Sequence, residues 1–277
     1  MTNVLICGAS GLLGREVFKR FDAKEEYNVF GTYHSNPVEA ENTLSIDLTY
    51  YTNVQSLINV TEPDIIINCA AQTDADYCEE NPRESYRINV DFPAMIADAA
   101  YLLDIHLIHI STPAVFDGEK GFYTEEDPAN PINVYGQQKL EAERIVKSVP
   151  RHTILRADFF GYGSGLADFV YRNLQSGNKI QGYSDIIFSP ISTSQYARMI
   201  EKIIRNSVTG IYHSGGRIHL SKYEFALFFA EQSKFDSSLI EKGESDFSVP
   251  RPKNTTLDSS KLYSELSLEP FELVEAP

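Results

Sequence analysis

Tryptophan is absent from this 277-residue chain, and cysteine and methionine occur only three times each. Cys7, Cys69 and Cys78 are odd in number and too few for a disulfide framework. A reducing, cytoplasmic interior is therefore the expected address. Positive charge is also short: 24 Lys and Arg stand against 39 Asp and Glu, a net charge of −15. That field repels nucleic acid and anionic membranes, so neither is an expected partner. No apolar run approaches the ~18 residues of a membrane span. Met1-Thr2-Asn3 leads into an apolar strand without the basic region of a signal peptide. Internal repeats and low-complexity tracts are missing as well. What remains is 42% hydrophobic and 23% charged, an ordinary globular composition in a chain long enough to bury a core.

The first half alternates strand and helix signals. Asn3–Cys7 is a short apolar strand, followed by a glycine-rich turn and an amphipathic helix over Arg15–Phe21. Tyr27–Tyr33 and Leu44–Ile46 read as strands, Asn53–Val60 as a helix, and Asp64–Asn68 as a central strand buried on both faces. A long helix is expected from Pro82 to Asp104, then a strand over His106–Ile110. This alternation predicts an α/β fold, a doubly wound parallel sheet of Rossmann type. Gly118–Pro131 reads as a loop or lid with a solvated acidic face, Ile132–Val149 as a helix and Thr153–Arg156 as a strand. Shorter elements follow, among them Leu166–Gln175, Ser192–Ile204, Gly210–His213 and Ser221–Gln232. The expected division is a dinucleotide-binding domain over residues 1–155 and a smaller substrate lobe over 156–277, interleaved with the first.

Gly8, Gly11 and Gly14 sit between a strand and a helix, where small residues let the backbone approach a pyrophosphate and a helix N-terminus supplies free N–H groups. Gly8, Ser10, Gly11, Leu12, Leu13 and Gly14 are the candidate cradle, with Arg15 beside it as a phosphate contact. Asp47-Leu48 and Ala70-Ala71-Gln72 end neighbouring strands at the same sheet edge. Ser111-Thr112 ends another, placing hydroxyls where a substrate carbonyl would lie. Tyr135 and Lys139 are four apart, on one face of a helix. An ammonium beside a phenol lowers its pKa, and the phenol can then act as general acid. His106 and His109 flank one strand and read as structural. No cysteine–histidine spacing suits a metal, so none is expected.

The glycine spacing G-x-x-G-x-x-G, with Tyr-x-x-x-Lys, resembles the extended short-chain dehydrogenase/reductases. Longer runs narrow the resemblance: GASGLLGRE, PDIIINCAAQTDADYCEENP, VFDGEKGFYTEED, NPINVYGQQKLEAE, ILRADFFGYG and RPKNTTLDSSKL. They resemble the dTDP-4-dehydrorhamnose reductases and a relative, the regulatory β subunit of methionine adenosyltransferase. The resemblance implies NADP(H), with NAD(H) as the alternative, and a nucleotide-sugar substrate between the main domain and the C-terminal lobe. It implies cofactor contacts by Gly8 to Arg15, Asp47, Leu48, Ala70, Ala71, Gln72, Tyr135 and Lys139. Thr112, Tyr135 and Lys139 become the catalytic set, and Ser111, Thr112, Phe159 and Arg251 the substrate contacts. The expected activity is reduction of a nucleotide-activated 4-keto-6-deoxy sugar, as in dTDP-L-rhamnose synthesis. The alternatives are an NADP-binding regulatory subunit of methionine adenosyltransferase, or another sugar-nucleotide reductase or epimerase. The partner is accordingly a second copy in a homodimer or an adenosyltransferase catalytic subunit.

Two departures stand out. Pro113-Ala114 occupies the place where the family carries Asp-Tyr after Ser-Thr, and Phe159 stands near the place of a family tryptophan. Glu16 matches one acid of the family's interface cation site, without counterparts for the other acids. His34 follows the second strand, where an acidic residue would favour NAD.

Overall fold

In a computed structural model, which describes residues 1–38 and 40–273, the chain forms a parallel sheet with helices on both faces. Its strands are β1 (Thr2–Cys7), β2 (Tyr27–Tyr33), β3 (Thr43–Ser45), β4 (Ile65–Asn68), β5 (His106–Ser111), β6 (His152–Arg156) and a late arrival, Gly210–His213. The spatial order is Gly210–His213, β6, β5, β4, β1, β2, β3, with every neighbouring pair parallel. Strand order reverses between β1 and β4, and ligands of such sheets bind at that switch, beyond the strands' C-terminal ends. All residues of β4 and β5 are buried, as central parallel strands with two covered faces must be.

Two apolar layers flank the sheet. On one side α1 (Leu12–Asp22) buries Leu13, Val17, Phe18 and Phe21. They meet Tyr196, Met199, Ile200 and Ile203, from a helix over Thr193–Arg205. On the other side α2 (Tyr51–Thr61) and α3 (Phe92–Leu103) cover Leu5, Ile66 and Leu107. A third cluster, built on Phe160, Val170, Phe225 and Phe229, forms the core of the smaller lobe. Residues beyond 155 are therefore divided: Thr193–Arg205 and Gly210–His213 complete the main sheet layer, while Gly165–Gln175 and Lys222–Gln232 build the lobe. Of the tail Phe271–Pro277, residues 274–277 lie outside the described residues.

The helix expected over Pro82–Asp104 is interrupted. Its middle, Arg87–Asp91, is one wide turn in which the Phe92 N–H donates to the Arg87 carbonyl, five residues back. Pro93 follows, and with no N–H it could not have continued the ordinary ladder. The helix over Val134–Val146, here α4, starts at Asn133, whose side chain accepts from the Gly136 N–H at 2.8 Å. The segment expected as a lid is pinned. Tyr123 exchanges backbone hydrogen bonds with Thr256 and Asp258, and Glu125 accepts from the His213 N–H at 2.8 Å. Asp127 holds Thr124 and Lys120. Glu125 and Asp127 thus tie the loop down, while Glu119 and Glu126 are exposed to water as expected.

Candidate functional site

The glycine turn joins β1 to α1 and its three glycines differ in what demands them. A Cβ on Gly14 would lie 2.1 Å from the Gly8 carbonyl oxygen, and one on Gly8 would lie 2.9 Å from the Ala70 backbone. Gly8 also has φ +79°, a region most side chains avoid. These two are required by the fold itself. A Cβ on Gly11 would meet nothing nearer than 3.3 Å, so the space above it opens outward. Gly11 caps α1 without any side-chain hydrogen bond, leaving first-turn N–H groups free toward that space.

A cleft of about 500 Å³ opens there, lined by Gly8, Ser10, Gly11, Asp47, Leu48 and Ala70-Ala71-Gln72. The same walls carry Thr32, His34 and Arg87. A second recess of about 540 Å³ shares Ser10 and Gly11 and continues past Leu12 and Arg15 to Asn36–Val38 and Gly163. Together they make a groove across the switch point, with glycine backbone in its middle. An elongated ligand with an anionic centre fits this shape and donor set.

Arg15 does not point its charge into the larger cleft: its guanidinium donates to the Tyr162 carbonyl at 3.1 Å and lies against Gly163. The cation at the far end is instead Arg87, on the wide turn, with His34 beside it, whose Nδ1 lies 3.0 Å from the Ser35 hydroxyl. Burial alone would raise the Asp47 pKa, but hydrogen bonds from Thr49 outweigh it and the carboxylate falls below its usual range. Asn89, from the same wide turn, clasps Gln72: its oxygen accepts the Gln72 N–H at 2.9 Å and its amide donates to the Gln72 carbonyl at 3.0 Å. Sequence reasoning missed Arg87 and Asn89, because a helix pattern gives no sign of a turn that re-aims side chains.

At the sheet's C-terminal edge Thr112 and Tyr135 meet. The Thr112 hydroxyl lies close to the Tyr135 phenol and accepts from the Ala114 N–H at 3.2 Å. Burial is the main influence on Tyr135 and pushes its pKa up, with the neighbouring Thr112 hydroxyl opposing and the Asp158 charge adding. The phenol therefore keeps its proton. Gly136 is dictated by Pro113-Ala114: a Cβ there would lie 2.3 Å from the Ala114 carbonyl oxygen. Lys139 is buried one turn further, its Nζ 2.7 Å from the Ile110 carbonyl and 3.1 Å from His109 Nε2. Burial lowers its pKa to about 8. The expected depression of the tyrosine by this lysine is not what the structure gives.

Three expected substrate contacts are engaged elsewhere. Ser111 donates to Glu143 at 2.6 Å, and Glu143 is paired in two bonds with buried Arg156. Alternation along the strand end turns Ser111 into this cluster and Thr112 toward Tyr135. Phe159 stacks on Tyr196 and packs against the core. Arg251 bridges the C-terminal segment to Asp76 at 2.8 Å. The carboxylate whose charge acts on Tyr135 is Asp158, which accepts from the Thr255 hydroxyl at 3.0 Å. Burial raises the Asp158 pKa to about 6, and Lys222 acts against that shift. Asp158 lies two residues past the end of β6, at the ligand edge of the sheet, and that position is the signal that could have found it. The three cysteines are free, and no cluster among the described residues is suited to a metal.

A family model described as the RmlD substrate binding domain matches residues 1–275. The chain belongs to that family. Among relatives, a probable low-salt glycan biosynthesis reductase of Haloferax volcanii is 32% identical over 94% of this chain and 91% of its own length. The dTDP-4-dehydrorhamnose reductase of Aggregatibacter actinomycetemcomitans is 31% identical, over 98% and 96%. The methionine adenosyltransferase 2 subunit beta of Mus musculus is 30% identical, over 94% and 81%. A crystal structure of a hypothetical dTDP-4-dehydrorhamnose reductase from Sulfolobus tokodaii superposes with a TM-score of 0.90 at 34% identity, covering 99% of this chain and 98% of that one. The Bacillus anthracis dTDP-4-dehydrorhamnose reductase, solved in complex with NADP, gives 0.88 at 27% identity, covering 98% and 95%. Within the RmlD family this chain is thus similar both to reductases and to a protein named as the beta subunit of a methionine adenosyltransferase.

Proposed function

We propose that the protein is an NADP(H)-dependent reductase of a nucleotide-activated 4-keto-6-deoxy sugar, of the dTDP-4-dehydrorhamnose reductase type. The observation that carries this reading is the Thr112–Tyr135 hydroxyl pair at the ligand edge of the sheet, beside a glycine-floored groove. The residues present suit a nicotinamide dinucleotide: Gly8, Gly11 and the first turn of α1 for the pyrophosphate, Ala70-Ala71-Gln72 and Lys139 for the nicotinamide half. His34 and Arg87 stand at the adenosine end where an acidic ribose clamp would select NAD, which favours NADP(H). Bound there, the cofactor supplies the hydride for the sugar's carbonyl carbon. Thr112 hydrogen-bonds the carbonyl oxygen, and Tyr135 gives its phenolic proton to the alkoxide that develops. The high tyrosine pKa keeps that proton in place until a stronger base forms.

The protein is expected to work in the cytoplasm, as a homodimer. The test is oxidation of NADPH in the presence of dTDP-4-dehydrorhamnose, followed by absorbance. Absence of turnover with retained NADPH binding would reject the reductase reading. A second reading has one observation in its favour: Pro113-Ala114 forms a short turn after β5 at the place where the resemblance to the reductases implies Asp-Tyr. It makes the chain an NADP-binding regulatory subunit of an adenosyltransferase, tested by co-purification with that catalytic subunit.

A further inference from the structure

A chain of buried contacts beneath Tyr135 biases a protonation state. Lys139, His109 and Asn68 are each nearly inaccessible to water. Lys139 Nζ lies 3.1 Å from His109 Nε2, and His109 Nδ1 lies 3.2 Å from Asn68 Nδ2. Which atoms carry hydrogen follows from the far end. The Ala70 backbone N–H can only donate, and it lies 3.0 Å from Asn68 Oδ1. That bond orients the Asn68 amide, oxygen toward Ala70 and NH₂ toward His109. An amide NH₂ only donates, so His109 Nδ1 must accept. A neutral imidazole then carries its single proton on Nε2, which donates toward Lys139. Burial holds His109 neutral, its pKa well below the usual value. An ammonium has three donors and no lone pair. Only an amine can receive the Nε2–H and still donate to the Ile110 carbonyl, 2.7 Å away.

We propose that in the cofactor-free protein Asn68 and His109 favour the uncharged amine of Lys139 over its ammonium, His109 acting as a positioning residue that biases the proton count of the Tyr135–Lys139 pair.

The groups facing Lys139 agree. From α4, Glu143 is the one carboxylate that acts on it, yet its oxygens are taken by Ser111 and Arg156. From the end of β4, burial pushes the Cys69 thiol up to about 12, so it carries no charge. Tyr135, on the same helix, retains its proton. From β5 come only the neutral His109 ring and the Ile110 carbonyl. Lys139 makes no ion pair among the described residues, and an unpaired buried ammonium is costly. The kinetic consequence rests on the proposed reductase reading; the protonation state does not.

The test uses the full-length protein without cofactor or substrate, so it is independent of any failure of that reading. Histidine and lysine labelled with ¹⁵N and ¹³C are followed by NMR through a pH titration, with Lys139→Met assigning the lysine signal. The expected result is the Nε2–H tautomer for His109 and a Lys139 titration about two pH units below the surface lysines. Asn68→Asp keeps an acceptor for Ala70 but replaces the donor facing His109. It should switch His109 to the Nδ1–H tautomer and raise the Lys139 titration by about one pH unit or more. His109→Gln adds no charge and can turn its oxygen to the ammonium, and should raise the titration as well. Lys139 titrating with the surface lysines, or His109 in the Nδ1–H tautomer, would overturn the proposal. So would a titration unmoved in both variants. Should either variant fail to fold, the wild-type tautomer and titration decide alone.

Discussion

The two sides of the groove are built from different material. The dinucleotide side is backbone: a glycine turn, strand ends with small residues and a helix N-terminus. On the proposed reading the sugar side is side chains drawn from four places: Thr112 after β5, Tyr135 on α4, Asp158 after β6 and Thr255 near the C-terminus. Backbone geometry needs glycine at set positions and tolerates little else, so it survives as a pattern. A constellation of side chains can be rebuilt from other segments. The lesson is that cofactor class is written more rigidly than substrate.

Five substitutions would break or sharpen that contrast. The largest effect is expected on the side-chain half: Tyr135→Phe should lower turnover ~10²–10⁴-fold while leaving NADPH affinity intact. An unchanged rate would remove tyrosine from the mechanism. On the backbone half, Gly14→Ala should cost roughly 3 kcal/mol or more of stability, since its Cβ meets the Gly8 carbonyl at 2.1 Å. Gly11→Val should instead leave the melting temperature nearly unchanged and abolish cofactor binding, which calorimetry reads directly.

Smaller is the effect of Asp158→Asn. The native pKa of about 6 lies above the ordinary 3.8, so the folded state holds this proton more tightly than the unfolded chain. Wild-type stability therefore falls as pH rises from 4 to 6, and stays lower above that. The asparagine variant should be more stable by roughly 1–2 kcal/mol at pH 7, with the difference vanishing below pH 4. Equal denaturation midpoints at both pH values would show that Asp158 is not strained by burial. Smallest is Arg87→Ala, expected to weaken NADPH binding by about 1 kcal/mol and NADH hardly at all. A matched loss for both would place Arg87 away from the 2′-phosphate.

Much of the fold was legible from periodicity. The strand over Gly210–His213 and the helix at Ser221 were visible because turn and cap residues frame them; Ser221 and Glu224 form a reciprocal cap. The wide turn at Arg87–Asp91 was not, since a helical pattern runs through it unbroken and only Pro93 hints at it. In the site, the glycine turn and Tyr135–Lys139 could be read from spacing. The engagement of Ser111 with Glu143, and of Arg251 with Asp76, could not. Those partners lie far away in sequence, and a motif reports which atoms are available, never who has already claimed them.

The late strand has a consequence for how the molecule comes into being. Until residues 210–213 are made, β6 is an open edge with unpaired backbone groups. Until Thr193–Arg205 is made, the apolar stripe of α1 has no cover. A nascent chain therefore cannot finish its first domain and then append a second. It must keep the glycine turn's own layer unfinished while some fifty further residues emerge, a long-range closure that slows folding and lengthens exposure to aggregation. A fragment ending at residue 155 would be born sticky, and in the cell this protein should lean on chaperones early in its synthesis rather than late.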